Sequence, residues 1–157
     1  MPQLSLHSPL GDLTVSEEDG AIVSLDWGRG SLQQPTPLLR EAASQLQDYF
    51  DGKRRDFALP LAPAFGTAFQ RRVWDALCAI PYGETRSYRD IAQALGLKGA
   101  RAIGQANGRN PIPIIIPCHR VVAADGSLGG YSGDGGPVTK HFLLTLEAHA
   151  LGRGTLI

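Results

Sequence analysis

Apolar and polar positions mark out two different rhythms along this chain. Gln3–Leu6, Leu13–Ser16 and Ala21–Trp27 are short stretches of strand character, separated by the turn-forming runs Pro9-Leu10-Gly11 and Glu18-Asp19-Gly20. They predict a small antiparallel meander. From Leu38 the spacing changes: Leu38, Leu39, Ala42, Leu46, Tyr49 and Phe50 fall on one helix face until Asp51-Gly52 stops it. Ser31–Pro37 is a polar connector before that helix. The proline-rich stretch Asp56–Phe65 reads as a linker, dividing the chain into a lobe at 1–62 and a domain at 63–157.

The second part has mainly helical spacing. Phe69, Val73, Trp74, Leu77 and Ile80 share a face, Thr67 is placed to cap their helix, and Pro81 ends it. Cys78, inside this helix, reads as a small buried hydrophobe. Ser87 caps a helix over Tyr88–Leu95 that Gly96 closes, and a third helix runs from Ala100 to Asn107. Two short helices joined through glycine are a helix-turn-helix candidate, or a plain packing pair. The run Ile112-Pro113-Ile114-Ile115-Ile116 predicts a buried strand delivering Cys118 and His119. Asp125–Gly136 is a glycine-rich loop, and Val138–His149 is a final amphipathic helix with Val138, Phe142, Leu143, Leu146 and Ala150 apolar. The fold class is therefore α/β (α+β): a small antiparallel sheet lobe with a helix, then a mainly helical domain containing the helix-turn-helix and an active-site strand or loop.

Charge changes the picture only by its distribution. The formal net charge is zero. Residues 1–65 carry nine acidic and five basic side chains, whereas residues 66–132 carry eight basic and four acidic ones. An acidic front and a basic back suit a back half that meets a polyanion. The third helix sharpens this. Ala100, Ala102, Gly104 and Ala106 make it small-sided, with Arg101 as its one charged residue. Such a helix suits close backbone approach and insertion of one cation into a minor groove better than base readout in the major groove. Tight packing against Trp74 is the plainer explanation of the same small residues.

The two cysteines, Cys78 and Cys118, make no disulfide framework, and no Cys/His spacing offers a metal site. No cofactor motif stands in a strand-to-helix setting. No charged segment followed by an apolar one opens the chain, and no run approaches membrane-spanning length. A free thiol beside a histidine fits a reducing cytoplasm. Cys118 can be a nucleophile and His119 its base.

The run Asn110-Pro111-Ile112-Pro113-Ile114-Ile115-Ile116-Pro117-Cys118-His119-Arg120-Val121-Val122 resembles the active-site segment of the O6-alkylguanine-DNA alkyltransferases, or methylated-DNA–protein-cysteine methyltransferases. The resemblance extends from about Thr67 to Glu147 and points to a stand-alone bacterial-type member. It implies transfer of an alkyl group from a damaged base oxygen in duplex DNA to Cys118, on O6-alkylguanine with O4-alkylthymine as a second candidate. His119 would take the thiol proton through a water, and Glu147 would orient His119. Tyr88 would face the flipped base with its hydroxyl, and the Ser132 amide would donate to the base oxygen. The carbonyls of Cys118 and Val121 would accept from its exocyclic amine, with Tyr131 as a pocket wall. Arg101 would fill the vacated stack, with Ala100 and Gly104 on the DNA-facing helix. Asn110 would tie the helix pair to the active-site segment. No metal or other cofactor is implied, and the free protein is expected to be a monomer.

Two features depart from the family pattern. The link Gly133-Asp134-Gly135-Gly136-Pro137 is slightly longer than usual, and the first lobe shows no motif match, only compatible size and strand content. Three other readings stay open. A lesion-binding relative that does not repair would have replaced Cys118. A DNA-binding regulator would need a helix with more base-reading side chains. A cysteine hydrolase would need an oxyanion motif and a strand that ends before His119, because neighbouring strand residues face opposite ways.

Overall fold

The computed structural model describes residues 1–131 and 135–153. The chain forms two compact units, Met1–Phe65 and Gly66–Ile157. In the first, β1 (Gln3–Leu6), β2 (Leu13–Glu18) and β3 (Ala21–Trp27) form an antiparallel sheet in that order. Facing residues align as Leu4–Val15–Leu25 and Leu6–Leu13–Trp27, which gathers the apolar positions on one face. α1 (Pro37–Phe50) packs on the sheet, and Leu39, Ala42, Leu46 and Tyr49 join Leu13, Val15 and Leu25 in the core. Thr36 caps α1 through its side chain, and Pro37 occupies the first helical position, where a missing N–H costs nothing.

The stretch expected to be a linker is bound rather than free. Ile22 N–H donates to Pro60 O (2.8 Å), and Ala62 and Ala64 donate back to the Ile22 and Val23 carbonyls at 2.8 and 3.0 Å. Prolines at 60 and 63 have no N–H, but the alternate alanines carry the donors, so a proline-rich segment can still run along a strand.

In the second unit, α2 (Ala68–Cys78) starts at a capping box formed by Thr67 and Gln70. β4 (Arg86–Ser87) leads into α3 (Tyr88–Ala94), also opened by a capping box, from Ser87 and Asp90. A turn through Gly96, at φ 76°, precedes α4 (Arg101–Gly108). α2 contacts both α3 and α4, and Trp74 donates its indole N–H to the Ala106 carbonyl at 2.8 Å. Cys78 is exposed on α2, not buried as its sequence context suggested. Surrounding protein and the Asp75 charge push its thiol up to about 11.

The isoleucine run is not a strand. Ile116 N–H bonds to Ile112 O and Ile115 N–H to Pro113 O, which folds residues 112–116 into a tight buried loop. Ile114 is held at φ 73°, a rare conformation for a β-branched residue. Two prolines, at 111 and 113, remove ladder donors, which explains why an apolar run of this length does not extend. A 3₁₀ turn, Cys118–Arg120, follows, and then β5 (Val121–Val122), which pairs in parallel with β4. Finally α5 (Pro137–Ala150) buries Thr139, Lys140, Leu143, Leu144, Glu147 and Ala148. Its inward face is rotated from the one read from the apolar residues: Val138 is 76% exposed, and two charged side chains point inward instead.

Candidate active site

Cys118 is delivered by this compressed loop. The Asn110 side chain spans the base of the loop, accepting from Ile112 N–H at 2.9 Å and donating to Ile116 O at 2.8 Å. This is an Asx turn that also fixes the far end of the loop. Asn107, on the inner face of α4, donates its amide to the Cys118 carbonyl at 3.2 Å. The cysteine is 3% exposed, yet it lines a cavity of about 360 Å³ with Tyr88, Gly104, Asn107, Gly108, Gly130 and Tyr131. That volume lies in the usual range of ligand pockets, about 300–1,000 Å³.

The 3₁₀ turn resolves the problem of two adjacent residues on a strand: His119 follows Cys118 into the interior and is fully buried. Its Nε2 lies 2.7 Å from Glu147 Oε2. Glu147 is ionised, so it only accepts, and a neutral His119 carries its proton on Nε2. Nδ1 is then the basic nitrogen; it is buried and has no hydrogen-bond partner among the described residues.

Glu147 is crowded with donors. Oε1 accepts from Arg120 Nε (2.9 Å) and Gly83 N–H (3.0 Å), and Oε2 from His119 and Arg120 Nη2 (3.1 Å). Burial works to raise this carboxyl, but the hydrogen bonds and charges of His119 and Arg120 outweigh it and hold it at about 2. Burial pushes His119 down; Glu147 works upward, while the Arg120 and Lys140 charges work downward. Burial also pushes the Cys118 thiol up, opposed by hydrogen bonds from Asn110 and Tyr131 and by the Lys140 charge. Burial thus favours the uncharged forms of both the Cys118 thiol and the His119 imidazole.

Tyr88 opens α3 beside the cavity, placed there by the β4–β5 pair that joins its strand to the residues after Cys118. Its ring lies beneath the Lys140 ammonium, 5.8 Å from the centroid. Burial and the neighbouring cysteine raise the hydroxyl, which keeps it a proton donor. Tyr131 lines the cavity, its hydroxyl also raised by burial. Val121 is fully buried in β5 and outside the cavity lining. Ser132 lies outside the described residues, as does part of the link beginning at Gly133.

Arg101 is exposed in the first turn of α4, Ala100 is its half-buried cap position, and Gly104 faces the cavity with open space where a Cβ would stand. The small residues thus divide by face: Ala106 packs under Trp74, whereas Gly104 leaves a surface bare.

Three participants are not evident from the sequence pattern. Asn107 has no motif of its own. Arg120 belongs to the motif run, but nothing in a Cys-His-Arg string says that the third residue turns inward. Lys140 carries a usable signal, standing two helical turns before Glu147 and so on the same face of α5. It is fully buried, donates to Gly130 O at 3.1 Å, and burial lowers its amine to about 8. Among the described residues, no His/Cys/Asp/Glu group could hold a metal ion, and no helix is long and apolar enough to cross a membrane.

Two family models match. "6-O-methylguanine DNA methyltransferase, DNA binding domain" covers residues 68–149, and "6-O-methylguanine DNA methyltransferase, ribonuclease-like domain" covers residues 4–63. The second corrects the expectation that the first lobe has no family match. The chain is 47% identical over 153 residues to a Bacillus subtilis protein named methylated-DNA–protein-cysteine methyltransferase, constitutive, covering 90% of this chain and 92% of that one. A Methanosarcina barkeri methylated-DNA–protein-cysteine methyltransferase is also 47% identical, over 155 residues, covering 93% and 96%. Among solved structures, Mycobacterium tuberculosis OGT in complex with DNA superposes with a TM-score of 0.85 at 43% identity, covering 96% of this chain and 94% of that one.

Proposed function

The chain belongs to the 6-O-methylguanine DNA methyltransferase family, and we propose that it repairs DNA by moving the alkyl group of an O6-alkylguanine onto Cys118. The observation that carries this reading is a buried cysteine in the wall of a base-sized cavity, followed directly by a histidine bonded to an ionised carboxylate.

The thiol proton passes toward His119 Nδ1, and Glu147 stabilises the imidazolium that forms. The sulfur pair attacks the alkyl carbon, the S–C bond forms, and the C–O6 bond breaks with its electrons going to the purine. The Tyr88 hydroxyl stabilises the charge developing there, and the base leaves as guanine with the proton the thiol gave up. The thioether has no route back to a thiol, so each molecule acts once.

A base inside a duplex cannot reach a buried sulfur and must be extruded. α3 and α4 serve as a helix-turn-helix laid in the minor groove, Gly104 allowing close approach and Arg101 filling the vacated stack. DNA bearing alkylated bases is the partner, and the reducing cytoplasm is the working compartment. A reading as a non-repairing lesion binder is not favoured, since the nucleophile is present.

Intact mass spectrometry after incubation with O6-methylguanine duplex DNA tests this. Wild type should gain one methylene unit of mass, mapped to Cys118, and Cys118→Ser should gain nothing while still binding DNA. Methyl on Cys78 would refute the assignment.

A further inference from the structure

Four ionisable side chains are fully or almost fully buried around this centre, more than a thiol–imidazole–carboxylate relay requires: His119, Arg120, Lys140 and Glu147. Arg120 is held by three hydrogen bonds and a ring contact. Its Nε and Nη2 hold both oxygens of Glu147, its Nη1 donates to Ile80 O at 2.8 Å, and its guanidinium lies 5.5 Å from the Tyr82 ring centroid. Fixed from three sides, it cannot swing away from the carboxylate.

We propose that Arg120 is a positioning residue that keeps Cys118 and His119 in their uncharged forms until an alkylated base fills the cavity, by taking the larger share of the Glu147 charge. This rests on the reading of Cys118 as the alkyl acceptor.

The sharing is visible in the hydrogen bonds. His119 has one contact to Glu147, at 2.7 Å, on an oxygen that Arg120 also holds at 3.1 Å. The other oxygen belongs to Arg120 and Gly83. A carboxylate with that many donors attracts an imidazolium less than a carboxylate facing His119 alone. The charged groups facing His119 are Glu147 and Lys140 from α5 and Arg120 from its own turn. Two cations stand against one anion, and burial adds to the cost of charging the ring.

The arrangement suits a protein that spends its nucleophile once. A standing thiolate would react with small electrophiles and oxidants. A thiol that gives up its proton only as the alkyl carbon is attacked is spared them.

The test follows the His119 ring by NMR titration of the full chain, in wild type, Arg120→Lys and Arg120→Met. Reaction of Cys118 with iodoacetamide, without DNA, is followed over the same pH range. In wild type His119 should titrate below the ordinary value of about 6.5. Arg120→Met should raise that midpoint by about one pH unit and speed carbamidomethylation of Cys118 at neutral pH about tenfold, since one pH unit corresponds to a tenfold change in the protonation equilibrium. Arg120→Lys, which keeps the charge but loses the two-pronged grip, should fall between. If Arg120→Met does not fold, wild type and Arg120→Lys still decide. A wild-type His119 midpoint above the ordinary value, or one that Arg120→Lys leaves unmoved, overturns the proposal. Failure of wild type to take methyl from DNA would instead overturn the functional reading, whatever the titration shows.

Discussion

The two units bury polar groups in opposite ways. In Met1–Phe65 the buried polar side chains are Thr14, Ser16 and Gln45, all uncharged. Gln45 bonds both the N–H and the carbonyl of Ala58 (2.9 and 3.3 Å), and the Thr14 hydroxyl bridges Ser5 and Gly28. In Gly66–Ile157 the buried set includes His119, Arg120, Lys140 and Glu147. Thr14 and Gln45 are thus satisfied, while the Ser16 hydroxyl has no partner among the described residues; an unpaired neutral group costs about 1–3 kcal/mol, whereas buried ions cost several kcal/mol each unless matched. The first unit buries polarity to close its chain; the second buries charge to hold a reactive centre.

The sharpest way to test that contrast is to unbalance the charge. Glu147→Gln leaves Arg120 without its counter-ion, and should cost about 3–5 kcal/mol of unfolding free energy. It should also slow alkyl transfer at least about 10²-fold, as loss of general-base support does. Denaturant melts and single-turnover kinetics read the two effects; a variant as stable and as fast as wild type would erase the distinction between the units.

Acid should separate the units next. Glu147 is held below its ordinary value in the fold, so its stabilisation is complete above about 4.5 and is lost as pH falls toward about 2. His119 is kept neutral, so the unfolded chain takes up its proton first and stability again falls as pH drops below about 6.5. Both act in the same direction. Hydrogen exchange over this range should show α5 and the Cys118 turn losing protection before β1–β3; simultaneous loss would mean these ions contribute nothing to the second unit's stability.

Gln45→Ala is the matching cut in the first unit. It strands the Ala58 N–H and carbonyl and should cost about 1–3 kcal/mol, with the alkylation rate of the folded fraction unchanged. Arg101→Ala should change stability least, within about 0.5 kcal/mol for an exposed residue. It should nevertheless slow repair of duplex lesions strongly, single strands less, and reaction with free O6-benzylguanine hardly at all. Equal slowing on all three substrates would make Arg101 part of the pocket rather than an agent at the stack.

This contrast also explains what is legible in the sequence. The meander and α1 follow from apolar spacing and turn residues, and β1 and β3 begin and end where the pattern does. The helices of the second unit announce themselves through Thr67, Ser87 and Gly96. The environment of Cys118 does not. Ile112–Ile116 has a strand's composition and folds as a loop because prolines and the Asn110 side chain decide its hydrogen bonds. The buried face of α5 departs from the apolar pattern because hydropathy places Lys140 and Glu147 in solvent, whereas their partners lie inside. Charge buried against charge is legible only after the partners meet, and Glu147 meets its partners over separations of 27 to 64 residues.

Those separations have a kinetic meaning. The carboxylate that orients His119 sits where three distant stretches converge: the turn at Gly83, the turn at His119 and Arg120, and α5. Arg153, beyond α5, fastens the Gly83 carbonyl at 2.8 Å. Contacts this far apart in sequence close late, because loop closure must be met before they can reward it. A chain still emerging from the ribosome therefore holds Cys118 as an ordinary thiol. The relay comes into being only when these stretches meet, so a partly folded molecule carries Cys118 without the base that assists it and without the burial that raises its thiol in the fold.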